Sequence, residues 1–280
     1  MLQPLELSPE QESQIVSSAR EGDRAAFESL IGPLRRPLYA YINRMTTNPQ
    51  DAEDLLQDTL VRVLESLPSF RREARFKTWL FGIATHVCLD HLRSRKRWRL
   101  EAQLIGEREA RENPGSIAGT MGTMYEPNFV FEIREHIAFC FACVARTLEP
   151  EEQAALMLRE VLGFTNQESA AILEVSEPIF RHRLSAARSV MAKSYEGLCQ
   201  LINKTGLCYQ CRGLREMAPE RNRGKDLVQI EVAPGVPVSA ESLLDARIDL
   251  MRGADLEHGG TAPLHRGFFQ SLTVREESVG

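Results

Sequence analysis

Five cationic side chains, Arg93, Arg95, Lys96, Arg97 and Arg99, fall within seven positions, and three rings, Phe76, Trp79 and Phe81, precede them. Rings stack on unpaired bases while guanidinium and ammonium groups track phosphates, so this combination suits a nucleic-acid strand with exposed bases. A second set has different chemistry. Cys140 and Cys143 form one C-x-x-C pair, Cys208 and Cys211 form another, and His136 stands four positions before the first. Four thiolates hold zinc tetrahedrally, and two such pairs are a usual way to supply them. The same thiols could form a redox switch, or Cys140 and Cys143 could be small apolar groups packed inside a helix. The third set is acidic. Asp51, Asp54 and Asp58 recur at steps of three and four, which places them on one helix face. That face is either a solvated surface or a dock for a basic partner helix.

These residues need elements to carry them. Behind the rings, Leu80, Ile83, Ala84 and Val87 recur at helical steps and predict a helix with one buried stripe. Taken alone, a core helix with a solvated basic end fits this stretch as well as a DNA-contacting one. The acidic residues lie on a helix that Asn48 caps, Pro49 opens and Pro68 stops, with Ala52, Leu55, Leu56, Leu60, Val63, Leu64 and Leu67 as its apolar stripe. Upstream, helices are expected from Pro9 to Met45 with a break at Glu21-Gly22-Asp23. Pro33 and Pro37 should bend or interrupt the second of them.

Residues 100–128 are acidic and rich in glycine, serine and threonine, and read as a linker. A second helical block follows over 129–205. Within it Thr165 with Glu168 forms a capping-box pattern, and Glu174-Val175-Ser176 reads as a tight turn before a helix with Pro178 in its first turn. A short helix, a turn and a basic helix describe a helix-turn-helix. Its second helix is expected to turn Ile179, Leu184 and Ala187 inward and leave Arg181, His182, Arg183 and Arg188 able to reach DNA. Residues 206–280 form an extension. Its stretch AESLLDARIDLMRGADLE is amphipathic through Leu243, Leu244, Ala246, Ile248, Leu250 and Met251, and is expected to pack on the second domain or to order with a partner.

The whole-chain quantities narrow the class. With 280 residues, 43% hydrophobic and 26% charged, the chain reads as an ordinary globular protein of two modest domains. A net charge of −5 argues against coating DNA and permits local basic patches beside acidic surface for another partner. No stretch is apolar enough to span a bilayer and the N-terminus lacks a basic start, so a cytoplasmic protein without membrane attachment is expected.

DAEDLLQDTLVRVLESL, a short connector and FKTWLFGIATHVCLDHLRSRKR together resemble the core-binding and promoter-melting domain of bacterial sigma factors of the extracytoplasmic-function type. The likeness covers about residues 15–98. It implies that Asp51, Asp54, Leu55, Gln57 and Asp58 lie against the clamp helices of RNA polymerase. It also implies that Lys77, Trp79, His86, Arg93, Arg95, Lys96 and Arg97 face the promoter's minus-ten element. His86 stands where many relatives carry asparagine, so base preference there is not transferable. The later block resembles the domain that reads the minus-thirty-five element, with Pro178 and Ile179 replacing a small, polar helix start.

The resulting expectation is an all-α chain of two small helical domains, 10–99 and 129–205, joined by the 100–128 linker and followed by the 206–280 extension. It would be a sigma factor without enzymatic activity. Core RNA polymerase and promoter DNA are its implied partners, and an anti-sigma factor is a candidate third. By the resemblance the linker would thread polymerase channels; its composition fits a passive tether equally. The extension exceeds what the resemblance requires and is expected to be a regulatory arm. No cofactor is required; a structural zinc on Cys140, Cys143, Cys208 and Cys211, with His136 as an alternate ligand, is a candidate. His136, Cys140 and Cys143 also resemble the H-x-x-x-C-x-x-C motif of zinc-binding anti-sigma factors. Two rivals remain: a helix-turn-helix regulator acting without polymerase, and an enzyme or redox protein built on the cysteine pairs.

Overall fold

A computed structural model describes residues 7–94, 133–198 and 239–254, and among them every regular element is helical. The chain divides into two compact units, Met1–Lys96 with Pro150–Leu184 and Arg97–Glu149 with Ser185–Gly280. The helical block expected over 129–205 is thus shared between the two, parting at Pro150 and after Leu184.

In the first unit, α1 (Pro9–Arg20) starts at a capping box in which Ser8 and Gln11 satisfy each other's backbone amides. Gly22, at φ +93°, makes the break, and the Asp23 carboxylate accepts from the amides of Ala25 and Ala26 to open α2 (Arg24–Thr46). This helix is not interrupted at Pro33 or Pro37. Pro33 is exposed and Pro37 half-buried, so the carbonyls they release lie where water can reach them. The inner face keeps its continuous stripe of Leu30, Ile31, Leu34, Leu38, Tyr41, Ile42 and Met45.

Thr47, in the left-handed region at φ +57°, ends α2. Asn48 then caps α3 (Pro49–Ser66), its side-chain oxygen accepting from the Gln50 amide at 3.0 Å. A 3-10 turn at Leu67–Ser69 and a short connector lead into α4 (Phe76–Ser94). Glu12 fixes the start of α4 by accepting from the Phe76 amide at 3.0 Å while pairing with Arg75 at 3.1 Å. Across the core, the hydroxyls of Tyr41 and Thr85 meet at 2.9 Å, so these two buried polar groups of α2 and α4 satisfy each other.

The same unit contains α6 (Pro150–Leu156), a π-helical turn at Met157–Val161 and α7 (Asn166–Ile172). Thr165 and Glu168 form the capping box that the sequence predicts. The first part of α8 (Glu177–Leu198) belongs here and its later part to the second unit. That second unit is built from α5 (Ile133–Ala145), the rest of α8 and α9 (Ala240–Gly253). α9 packs on α5 and buries Leu243, Leu244, Ile248 and Met251. It also buries Arg247, whose guanidinium lies 3.9 Å from the Tyr195 ring centre and donates to the Leu243 carbonyl at 2.9 Å. The extension therefore supplies a core element of this unit.

Candidate nucleic-acid interface

α4 carries most of the residues expected to meet DNA, and its geometry sorts them. Trp79, His86 and Arg93 recur at seven-residue steps, two helical turns each, and so share one face. Trp79 is half-buried and stacks on Phe70 with ring centres 4.6 Å apart, while Phe76 meets both rings. Phe76 and Phe81, grouped with Trp79 in the sequence as rings for bases, are core residues at 1% and 0% exposure. Phe81 packs between Tyr41 and Phe164. Only Trp79 of the three reaches the surface. Phe70, the ring that backs it, sits in the connector, where no helical period marks it.

His86 is 38% exposed at its side chain; its Nδ1 lies 2.9 Å from the Gly82 carbonyl and its Nε2 3.7 Å from a Glu174 oxygen. Arg93 donates to Glu151 at 2.6 and 3.2 Å and lies 3.4 Å from Asp90. Burial opposes ionisation of Glu151, yet the bonds from Arg93 and from its own backbone, with the charges of Arg93 and Arg183, hold its carboxyl below the usual value. The Glu151 hydrogen bond in turn pushes Arg93 upward. Lys77 departs from the group: it turns to the Phe81 side of the helix, with its ammonium 4.8 Å from the centre of the Phe164 ring. Arg95, Lys96 and Arg97 lie outside the described residues. Beside this face runs a cleft of about 890 Å³, with Trp79, Gly82 and His86 on one wall and Ala171, Ile172 and Glu174 on the other.

The acidic helix α3 presents a mixed surface. Asp54, Gln57 and Asp58 are exposed. Leu55, expected to face a partner, points into the core at 7% exposure, as its place in the apolar stripe dictates. Asp51 is tied locally, accepting from the Asn48 side chain at 3.0 Å and lying 3.5 Å from His91 Nε2. Two residues join the outer face unforeseen. Val61 is 52% exposed, and Leu64, assigned by sequence to the buried stripe, is 53% exposed. Asp54, Asp58, Val61 and Leu64 follow one another at steps of three and four, so acidic and apolar groups share one docking-sized strip.

In α8 the inward position belongs to Phe180, at 0% exposure, and not to Ile179, which is 50% exposed; Leu184 is half-buried and Ala187 is buried. Ala187 is inward as expected, and at the start of the helix Phe180 takes the inward place expected of Ile179, so that Phe180, Ala187 and Met191 define the core stripe. Arg181 and His182 are exposed and Arg183 half-buried, with Arg181 bonded to Glu177 at 3.0 Å. Arg188 is held at 2.7 Å by Asp245 of α9.

His136, Cys140 and Cys143 share one face of α5, at steps of four and three. Burial pushes the His136 imidazole down to about 4 and the Cys143 thiol up, so both favour their neutral forms. Cys140 is half-buried. Cys208 and Cys211 lie outside the described residues, and among those described no group of three or more His, Cys, Asp or Glu is placed to hold a metal. Among the described residues, no helix is long and apolar enough to cross a membrane.

Two stretches of the chain match family models. Residues 30–98 match Sigma-70 region 2, and residues 138–191 match Sigma-70 region 4. The ECF RNA polymerase sigma factor SigG of Mycobacterium tuberculosis is 32% identical over 180 residues, 61% of this chain and 48% of that protein. The chain thus spans about half the length of that relative. The RNA polymerase sigma-H factor of Pseudomonas aeruginosa is 26% identical over 192 residues, 69% of this chain and 97% of that one. The ECF RNA polymerase sigma-E factor of Haemophilus influenzae is 23% identical over 184 residues, covering 66% and 95%.

Proposed function

We propose that this chain is a bacterial sigma factor of the extracytoplasmic-function type, which binds core RNA polymerase and directs it to start transcription at specific promoters. Two faces carry this reading: a strip of carboxylates and exposed aliphatics on α3, and the Trp79–His86–Arg93 line on α4. Asp54 and Asp58 would pair with basic groups on the enzyme, while Val61 and Leu64 supply the apolar centre that a stable interface needs. On α4, Arg93 would hold phosphate and Trp79, backed by Phe70, would stack on an unpaired base.

α8 would enter the major groove, with Arg181, His182 and Arg183 near its start, where a recognition helix meets base edges and phosphates. Ile179 offers an apolar contact such as a thymine methyl. Catalysis belongs to the polymerase in this scheme, and the work is done in the cytoplasm, with promoter DNA and core enzyme as partners. An anti-sigma factor would act by competing for these same faces. A regulator acting without polymerase would use α7 and α8 alone and leave the α3 strip without a purpose.

A structural zinc is a separate proposal. His136, Cys140 and Cys143 offer ligands on one helix face, and a bound metal would have to overcome the burial that keeps Cys143 protonated. Metal content of the purified chain, before and after Cys208→Ser and Cys211→Ser, tests it.

The sigma reading is tested by binding of the full chain to core polymerase. Asp54→Lys with Asp58→Lys should abolish binding while leaving the helical content unchanged. Undiminished binding of that variant overturns the docking assignment.

A further inference from the structure

We infer that Arg72 is a positioning residue for strand opening: it moors the α3–α4 connector to two serines of α1 and so keeps Phe70 behind Trp79. The inference rests on the reading of Trp79 as the ring that holds an unpaired base, and names what fixes that ring in place.

α1 has no part in the α3 strip or the α4 line, yet it is bonded to the connector from just before its start to its last residue. At one end the Arg75 guanidinium donates to the Leu7 carbonyl at 2.8 Å and to the Glu12 carboxylate at 3.1 Å. In the middle Arg72 donates to the Ser13 hydroxyl oxygen at 2.7 Å and to that of Ser17 at 2.5 Å. At the other end Arg20 donates to the Pro68 carbonyl at 2.6 Å. Phe70 lies between the Pro68 and Arg72 moorings, 5% exposed and stacked on Trp79.

Arg72 is also where the connector turns. Its φ of +62° is a left-handed conformation that a residue with a side chain seldom keeps unless its surroundings hold it. Here two hydroxyls on successive turns of α1 hold it, each taking one arm of the guanidinium fork. While Arg72 reaches to α1, its neighbours Arg71 and Glu73 line the cleft beside Trp79. A brace for the fold alone is a poor account of these bonds. α1 already packs on α2, burying Val16 and Ala19. Arg20, Arg72 and Arg75 are exposed, and bonds between exposed groups add little to stability. What they fix is the path of residues 68–75, and with it the ring that backs Trp79.

Two variants separate mooring from direct contact with DNA. Ser13→Ala with Ser17→Ala removes the acceptors and leaves the connector's own sequence intact. Arg72→Gly removes the donor and supplies a residue suited to the left-handed backbone. Ser29→Ala, whose hydroxyl donates to the Ala25 carbonyl of its own helix, is the control. The first readout needs no polymerase. In a Trp98→Phe background Trp79 is the sole tryptophan. Its quenching by acrylamide should rise in both variants and stay at the parental value in the control. Unchanged quenching in the serine pair, with circular dichroism showing it folded, overturns the proposal.

The second readout is permanganate reactivity on a promoter fragment that the parent chain opens with core polymerase. If the unmoored connector is correctly placed about one-tenth of the time, opening at limiting factor falls about tenfold, since apparent affinity scales with the competent fraction. Polymerase binding should not change, because the α3 strip is untouched. Arg72→Gly added to the serine pair should bring no further loss, as both changes cut the same bonds. Full opening by the serine pair overturns the proposal, and a loss confined to Arg72→Gly would make Arg72 a direct DNA contact instead. A parent chain that opens no fragment strikes the sigma reading, and the Trp79 fluorescence then decides by itself whether Arg72 positions the ring.

Discussion

His136 offers a perturbation whose size can be worked from its surroundings. The imidazole is fully buried on α5, and burial lowers its pKa from an ordinary 6.5 to about 4. A histidine depressed in the folded state stabilises the fold least when its unfolded form can take a proton that the folded form refuses. Between pH 6.5 and pH 4 the unfolded chain therefore binds more protons, and stability falls as pH falls. The full difference, reached below pH 4, is on the order of 3 kcal/mol; between pH 7 and pH 5 it is about 2 kcal/mol.

The comparison is best made between the chain and His136→Gln, so that carboxylates titrating in both cancel. Urea unfolding at pH 7 and pH 5 gives the slopes, and hydrogen exchange of α5 peptides localises the effect. The variant should be less stable at pH 7 but should lose about 2 kcal/mol less than the parent on going to pH 5. Parallel pH dependences would refute the burial argument, because a histidine that protonates freely in the fold produces no such difference.

Two further outcomes follow from packing. Leu244→Ala, at 0% exposure in α9, should destabilise the second unit by about 2–4 kcal/mol, read as a lower urea midpoint; a near-neutral effect would mean the extension is dispensable to that core. In α8, Phe180→Ala should cost about 3–5 kcal/mol, while Ile179→Ala should stay within about 0.5 kcal/mol and lower duplex DNA affinity instead. Reversed stability effects, measured by thermal unfolding, would show that the helix is phased as the sequence expectation had it.

Local chemistry was legible in the sequence where it is local. Asn48 with Pro49 and Thr165 with Glu168 mark helix starts because capping involves residues two and three apart, and both caps are present. The α9 helix was likewise readable from its apolar steps. Phase was harder. Ile179 and Phe180 are adjacent apolar residues, and only the register with Ala187 and Met191 decides which points inward. Leu64 fits the α3 stripe by spacing, yet it is 53% exposed, while Val63 and Leu67 of the same stripe are buried.

A proline costs a helix most where the bonds it removes are buried, and the accessible placing of Pro33 and Pro37 is not visible in a sequence. Contacts across great separations had no local signal at all. Arg93 with Glu151, 58 positions apart, and Arg188 with Asp245, 57 apart, pair residues that the sequence assigned to solvent or DNA. Arg247 was passed over because a buried arginine on an otherwise apolar face is intelligible only once Tyr195 lies beneath it.

The most direct trial of the account adds the purified chain to core polymerase on a library of genomic fragments and maps permanganate-reactive thymines, which report unpaired bases. Reactive clusters should appear just upstream of defined transcription starts only when both proteins are present, and should fade with Trp79→Ala in a chain that still binds polymerase. No strand opening by the parent chain bound to polymerase, or opening indifferent to Trp79, would contradict it.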